Sequence, residues 1–227
     1  MNDKIQLKNI TIVCIDGVNP DIGLKALKYS MKHIEFGNAK LISHIKPENI
    51  PNNIQFVQID KLSHDSYSPF MLHELHKHID TDFCLTIHDD GFVINPQLWD
   101  DNFLNYDYIG APWIHTVQYY GPKYRVGNGG FSLRSKKLIN LCKNIQSPGH
   151  EDASICIRNR DLLENYGCKF APVEVAMKFS LEEQIPECPF DLNLCFGFHG
   201  RGTSTLRSKE DNQQMLDRIQ LLETIEL

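Results

Sequence analysis

The chain has 227 residues, 41% of them hydrophobic, enough to bury a substantial core and too many for a disordered chain. Its formal net charge of -6 leaves no basic field for a nucleic-acid backbone, so no nucleic-acid partner is expected. The only N-terminal apolar run is short and broken by charge, and no stretch approaches membrane-spanning length; the reading is a chain without signal peptide or anchor, in the cytoplasm of its cell or of a host cell.

Lys8 to Asp16 is a continuous β-branched apolar run ending in a carboxylate, the pattern of a buried parallel strand. Asn19-Pro20-Asp21 opens a helix expected to run through Glu35 on Ile22, Leu24, Leu27, Met31 and Ile34, with Gly37 as its stop. Ala39 to Ile45 and Ile54 to Ile59 read as the second and third strands. Ser68-Pro69 is expected to open a second helix with Phe70, Leu72, Leu75 and Ile79 as its buried stripe, and Asp82 to Ile87 is the fourth strand. This rhythm predicts an α/β fold with a mostly parallel, doubly wound sheet flanked by helices, whose ligands sit beyond the carboxyl ends of the strands. In the second half, strands are expected over Tyr106 to Ile109, Tyr124 to Leu133 and Lys169 to Val175. Helices are expected over Ser135 to Asn144, Glu151 to Tyr166 and Ser208 to Leu227, and residues 177–203 read as loops. No repeat or linker divides the chain, so one domain over 1–227 is expected. The seven cysteines are odd in number and lack CxxC spacing, which predicts reduced structural thiols rather than a disulfide or zinc framework.

Four segments carry candidate chemistry. His88-Asp89-Asp90 places two adjacent carboxylates at a strand end, where a divalent cation would relieve their repulsion; a polar hairpin turn closed by Asp90-Gly91 explains the same residues. Gly127-Asn128-Gly129-Gly130 permits close approach to a ligand, or forms a bulge. Glu151-Asp152, after the turn residues Ser147-Pro148-Gly149, reads as a helix-start capping pair or as a general base. His199, between Phe198 and Gly200, is a candidate ligand for a transition metal.

In this order the segments resemble glycosyltransferases of the GT-A fold. Within them, Ile109 to Trp113 (Ile-Gly-Ala-Pro-Trp) and Gly127 to Arg134 (Gly-Asn-Gly-Gly-Phe-Ser-Leu-Arg) are similar to a DUF5672-like family of short bacterial and viral proteins, over roughly residues 8–203. The resemblance implies a nucleotide-binding half over 8–100, an acceptor and catalytic half over 101–203, and a C-terminal helix over 204–227 outside it. It implies a metal-dependent transferase moving a sugar from a nucleotide-sugar donor, a UDP-sugar, to a glycan or other hydroxyl acceptor with inversion, using Mn2+ or Mg2+. Asp90, His199 and His88 are then the metal ligands, with His88 where the usual first acid would stand. Asp16, His88, Asp89, Gly129 and Gly130 line the donor; Trp113, Asn128 and Arg134 touch substrate; and Asp152, with Glu151, supplies the base. Two other readings fit the residues: a nucleotidyltransferase, which lacks support from a phosphate loop at Asp16 to Pro20, and a non-catalytic or degenerate nucleotide-sugar or carbohydrate-binding module.

Overall fold

The computed structural model describes residues 4–114, 116–146 and 149–227. The expected turn at Ser147-Pro148 lies outside them. The chain forms strand β1 (Ile5–Asp16), helix α1 (Pro20–Ser30), β2 (Ile34–Ser43), β3 (Gln55–Gln58), α2 (His64–His73) and β4 (Phe83–Ile87). It continues with β5 (Tyr108–Ile109), α3 (Thr116–Tyr120), β6 (Ser132–Ser135), α4 (Lys136–Cys142), α5 (Glu151–Ala153), α6 (Arg160–Asn165), α7 (Val173–Phe179), β7 (Ser180–Leu181), β8 (Gly197–Phe198) and α8 (Lys209–Gln220).

The six-stranded sheet has the order β3-β2-β1-β4-β6-β5. Strands β1 to β4 are mutually parallel, and β6 runs antiparallel to both β4 and β5. The expected α/β class and mostly parallel sheet are therefore present. β1 is buried on both faces because both are covered. Ile12 and Cys14 pack with Leu24 and Leu27 of α1, whereas Val13 and Ile15 pack with Met71 of α2 and Ile139 of α4. The alternation follows from the period of two along a strand. All seven cysteines are unpaired thiols, six of them buried. No helix among the described residues is long and apolar enough to cross a membrane.

Several boundaries differ from expectation. α1 ends at Ser30, and Ile34 and Glu35 already belong to β2, paired with Ile5 and Gln6 of β1. Gly37 is not a helix stop. It lies inside β2 where the register with β1 shifts, and a Cβ there would sit 2.1 Å from the Lys8 carbonyl oxygen. α2 begins at His64, capped by a reciprocal Ser63–Ser66 pair, so Pro69 stands inside the helix rather than at its start. The stretch expected as a strand over Lys169 to Val175 makes a single bridge, Phe170 to Tyr108, before α7 begins. The helix expected over Glu151 to Tyr166 is interrupted by a π-helical turn at Ser154–Arg158. Within the strand expected over Tyr124 to Leu133, only Ser132 and Leu133 pair in the sheet, and the glycines form a loop ahead of β6.

Candidate active site

β4 delivers the chain to the carboxyl edge of the sheet and stops in a two-residue turn. His88 and Gly91 pair across it, His88 N donating to Gly91 O at 2.8 Å and Gly91 N returning to His88 O at 3.3 Å. The hairpin reading of this segment and the acidic-cluster reading therefore describe one object, a tight turn whose tip holds Asp89 and Asp90 together. Because β6 runs antiparallel to β4, the loop that precedes it, Gly127–Phe131, returns to this same edge. The Thr86 hydroxyl ties loop to sheet, lying 3.0 Å from Gly129 O and 2.7 Å from Ser132 Oγ.

A third segment arrives by a different route. β7 and β8 pair in parallel with Leu181 opposite Phe198, so the next residues, Glu182 and His199, emerge side by side. His199 N donates to Leu181 O at 3.2 Å. The imidazole then lies between two glycines: a Cβ on Gly130 would fall 2.0 Å from His199 Nε2, and one on Gly91 2.8 Å from Cδ2. Gly129 is constrained in the same way by the Glu151 carboxylate, 1.9 Å from where its Cβ would be. These glycines serve close approach, but to His199 and Glu151 of the chain itself.

His88, Asp90 and His199 each offer a donor atom, and the three atoms lie within 4.8 Å of one another. His199 Nε2 is 3.5 Å from Asp90 Oδ1. His88 Nε2 is 2.6 Å from the half-buried Tyr67 hydroxyl of α2. Burial, then the charge of His199, pushes the His88 imidazole down to about 4. Burial also opposes a charge on His199, but the hydrogen bond and charge of Glu182, with Asp90 and Asp152, outweigh it and lift the ring to about 9. Two imidazoles and a carboxylate are a donor set that would suit a divalent transition ion.

Arg201, which the sequence reading did not single out, spans the two acids: Nη2 lies 3.2 Å from Asp89 Oδ2 and Nε 3.2 Å from Asp90 Oδ2. Burial, then repulsion from Asp90, still raises the Asp89 carboxyl. An exposed guanidinium thus bridges the acidic pair.

A cavity of about 930 Å³ opens above the turn, within the size range of small-molecule sites. Asp16, at the end of β1, lines one side, its Oδ1 accepting from Val18 N at 2.7 Å and Asn19 N at 2.8 Å. Asp152 lines the other. Its Oδ2 accepts from Gly129 N at 3.2 Å and its Oδ1 from Ala153 N at 2.6 Å. Burial, then the Glu151 charge, pushes its carboxyl up to about 6 against those two bonds.

Of four further expected site residues, Glu151, Trp113 and Asn128 border the cavity and Arg134 does not. Arg134 does not reach the cavity. It is 1% exposed, with Nη2 2.9 Å from Glu151 Oε1, Nε 3.0 Å from Ser132 Oγ and its guanidinium over the Tyr108 ring. Glu151 borders the cavity, but its carboxylate is engaged by Arg134 and its N–H donates to Ser68 Oγ at 3.2 Å. Trp113 borders the cavity and is 6% exposed, with its six-membered ring directly on Gly127. Asn128 borders the cavity in a left-handed conformation, φ 63°.

The fold matches GT-A glycosyltransferases. A solved structure of the galactosyltransferase LgtC, in complex with donor and acceptor sugar analogues, aligns over 95% of this chain and 97% of that one, with TM-score 0.53 at 13% identity. An active-site mutant of LgtC aligns over 92% of this chain and 95% of its own with TM-score 0.49 at 14% identity. The apo glycosyltransferase GlyE of Streptococcus pneumoniae aligns over 97% of this chain and 62% of its own with TM-score 0.48 at 13% identity. No curated protein sequence matches the chain. The chain belongs to the family described as "Protein of unknown function (DUF5672)", which it matches over residues 49–199.

Proposed function

We propose that this protein is a metal-dependent glycosyltransferase that moves a sugar from a UDP-sugar to a hydroxyl of a glycan or other acceptor. The observation that carries this reading lies at the carboxyl edge of a GT-A-like sheet, where His88, His199 and Asp152 line one cavity and the buried Asp90 completes a cluster with the two histidines. The donor atoms favour Mn2+ over Mg2+, because Mg2+ takes oxygen ligands almost exclusively and two of the three atoms here are imidazole nitrogens.

His88, Asp90 and His199 would hold the ion. When bound, it neutralises charge that builds on the diphosphate as the glycosidic bond breaks. Asp16 and the backbone of Gly129 and Gly130 shape the donor side of the cavity, and Asp89 shares its floor. Asp152 accepts the proton of the incoming hydroxyl. A carboxyl near 6 is ionised at neutral pH yet basic enough to take part in proton transfer, which is the balance a general base requires. Displacement opposite the leaving group inverts the anomeric centre. NMR assignment of product against donor anomer tests this, and retention would remove Asp152 from the base role. Incubation with Mn2+ and a panel of UDP- and GDP-sugars tests the activity; donor hydrolysis lost in Asp90→Ala is expected.

A further inference from the structure

Glu182 belongs to no motif in the sequence, yet its carboxylate is built into the site. Oε1 lies 3.2 Å from His199 Nδ1, and the opposite nitrogen of that ring faces Asp90. A neutral imidazole carries one N–H and one lone pair, and the bond at one nitrogen decides which is which. An ionised carboxylate only accepts. It therefore keeps the proton on Nδ1, so the proton given up on metal binding is the one on Nε2, whose lone pair would then face a metal shared with Asp90.

The carboxylate is held in turn. Asn128 is the one non-glycine residue with positive φ among the described residues. Asparagine tolerates that region better than most side chains. Its Oδ1 accepts from Gly130 N at 3.1 Å and Phe131 N at 3.4 Å. That fixes the amide orientation and turns Nδ2 toward the Glu182 carboxylate, to which it donates; Nδ2 also lies 3.0 Å from His199 Nδ1, but an Nδ1 that keeps its proton for Glu182 accepts nothing from it. From behind, the buried Arg207 donates through Nη1 to the Glu182 carbonyl and through Nη2 to the Arg201 carbonyl, while its Nε reaches Asn212 of α8 at 3.1 Å. Among the described residues, the side chain hydrogen-bonded to the His88 ring is neutral, the Tyr67 hydroxyl.

We propose that Glu182 is a positioning residue for His199, setting its tautomer and ring orientation for metal ligation, and that Asn128 acts on the same ring through Glu182 rather than on substrate. The inference rests on the metal reading of the His88–Asp90–His199 cluster. Outer-sphere partners of this kind typically change metal affinity 10- to 100-fold. Glu182→Gln keeps an acceptor for Nδ1–H and loses the charge, so about a 10-fold rise in the Mn2+ Kd is expected. Glu182→Leu loses both, and about 100-fold is expected.

The test is calorimetric titration of Mn2+ into the metal-free full chain, the two Glu182 variants and Asp90→Ala, with thermal melting of each metal-free protein. Graded loss of affinity in Glu182→Gln, with a melting temperature near that of the unaltered chain, supports positioning. Affinity unchanged in both Glu182 variants, while Asp90→Ala fails to bind, overturns it and leaves the metal site standing. If the unaltered chain binds no Mn2+, the metal reading falls and takes the inference with it.

Discussion

Replacing Gly130 by alanine adds one methyl group where the glycine loop meets His199. The new Cβ would lie 2.0 Å from Nε2 and 2.1 Å from Cδ2 of the imidazole, whereas ordinary van der Waals contact begins at 3.4 Å. One partner must give by about 1.4 Å. The loop is the stiffer of the two: Gly129 O is held by Thr86 and Ser132, and Gly130 N by the Asn128 side chain. Gly130 has no positive φ, so the backbone itself accepts alanine and the perturbation is purely steric. The ring is therefore displaced from Asp90 by far more than the roughly 0.2 Å a metal–ligand bond tolerates. Losing a direct ligand should cost at least as much as losing an outer-sphere one. The expected result is a Mn2+ Kd raised about 100-fold, or about 2.8 kcal/mol, by calorimetry. Gly129→Ala is the control: its Cβ meets Glu151 instead, and it should lower stability more than metal affinity. Mn2+ binding by Gly130→Ala at the unaltered affinity would refute the packing argument.

Two further predictions concern the acids beside the loop. Asp152→Asn should abolish transfer while leaving Mn2+ binding within a few-fold. In the unaltered chain, kcat/KM should fall tenfold per pH unit below about 6 as the base protonates; a flat profile between pH 5 and 7 would contradict the role of Asp152. Arg134→Met leaves the Glu151 carboxylate without its buried partner and should cost about 3–5 kcal/mol in urea unfolding, partly recovered by adding Glu151→Gln. A loss below about 1 kcal/mol would show that Glu151 draws its stabilisation from elsewhere.

What the sequence revealed was what is local. β1 and β4 were legible because parallel strands covered on both faces are continuous apolar runs, and each ends where a carboxylate meets the sheet edge. The first helix was read five residues too long because Met31 and Ile34 continue its apolar spacing, although Ile34 packs as the first residue of β2. Gly37 looked like a stop because nothing in the local sequence shows the Lys8 carbonyl pressed against it. The glycine loop was recognised as a place of close approach, but the group approaching, His199, comes from a segment about seventy residues later and is placed by the β7–β8 pairing. Glu182, Arg201 and Arg207 were missed for the same reason. Each is an ordinary charged residue in a loop-rich stretch, and only the parallel pairing of Leu181 with Phe198 brings Glu182 beside His199. Glu182-Glu183 after a short apolar segment was the one local signal available. Arg134 read as a substrate contact because it ends a glycine motif, but β6 turns it under the loop to meet Glu151.

Metal-dependent cleavage of a nucleotide sugar tests the central claim most directly. The full chain is incubated with each UDP- and GDP-sugar in Mn2+, in Mg2+ and with a chelator, and nucleoside diphosphate release is followed beside Asp90→Ala. Release with a UDP-sugar in Mn2+, weaker in Mg2+ and absent with the chelator or in Asp90→Ala, is the predicted result. Release that persists in the chelator or in Asp90→Ala, or no release from any donor, would contradict it.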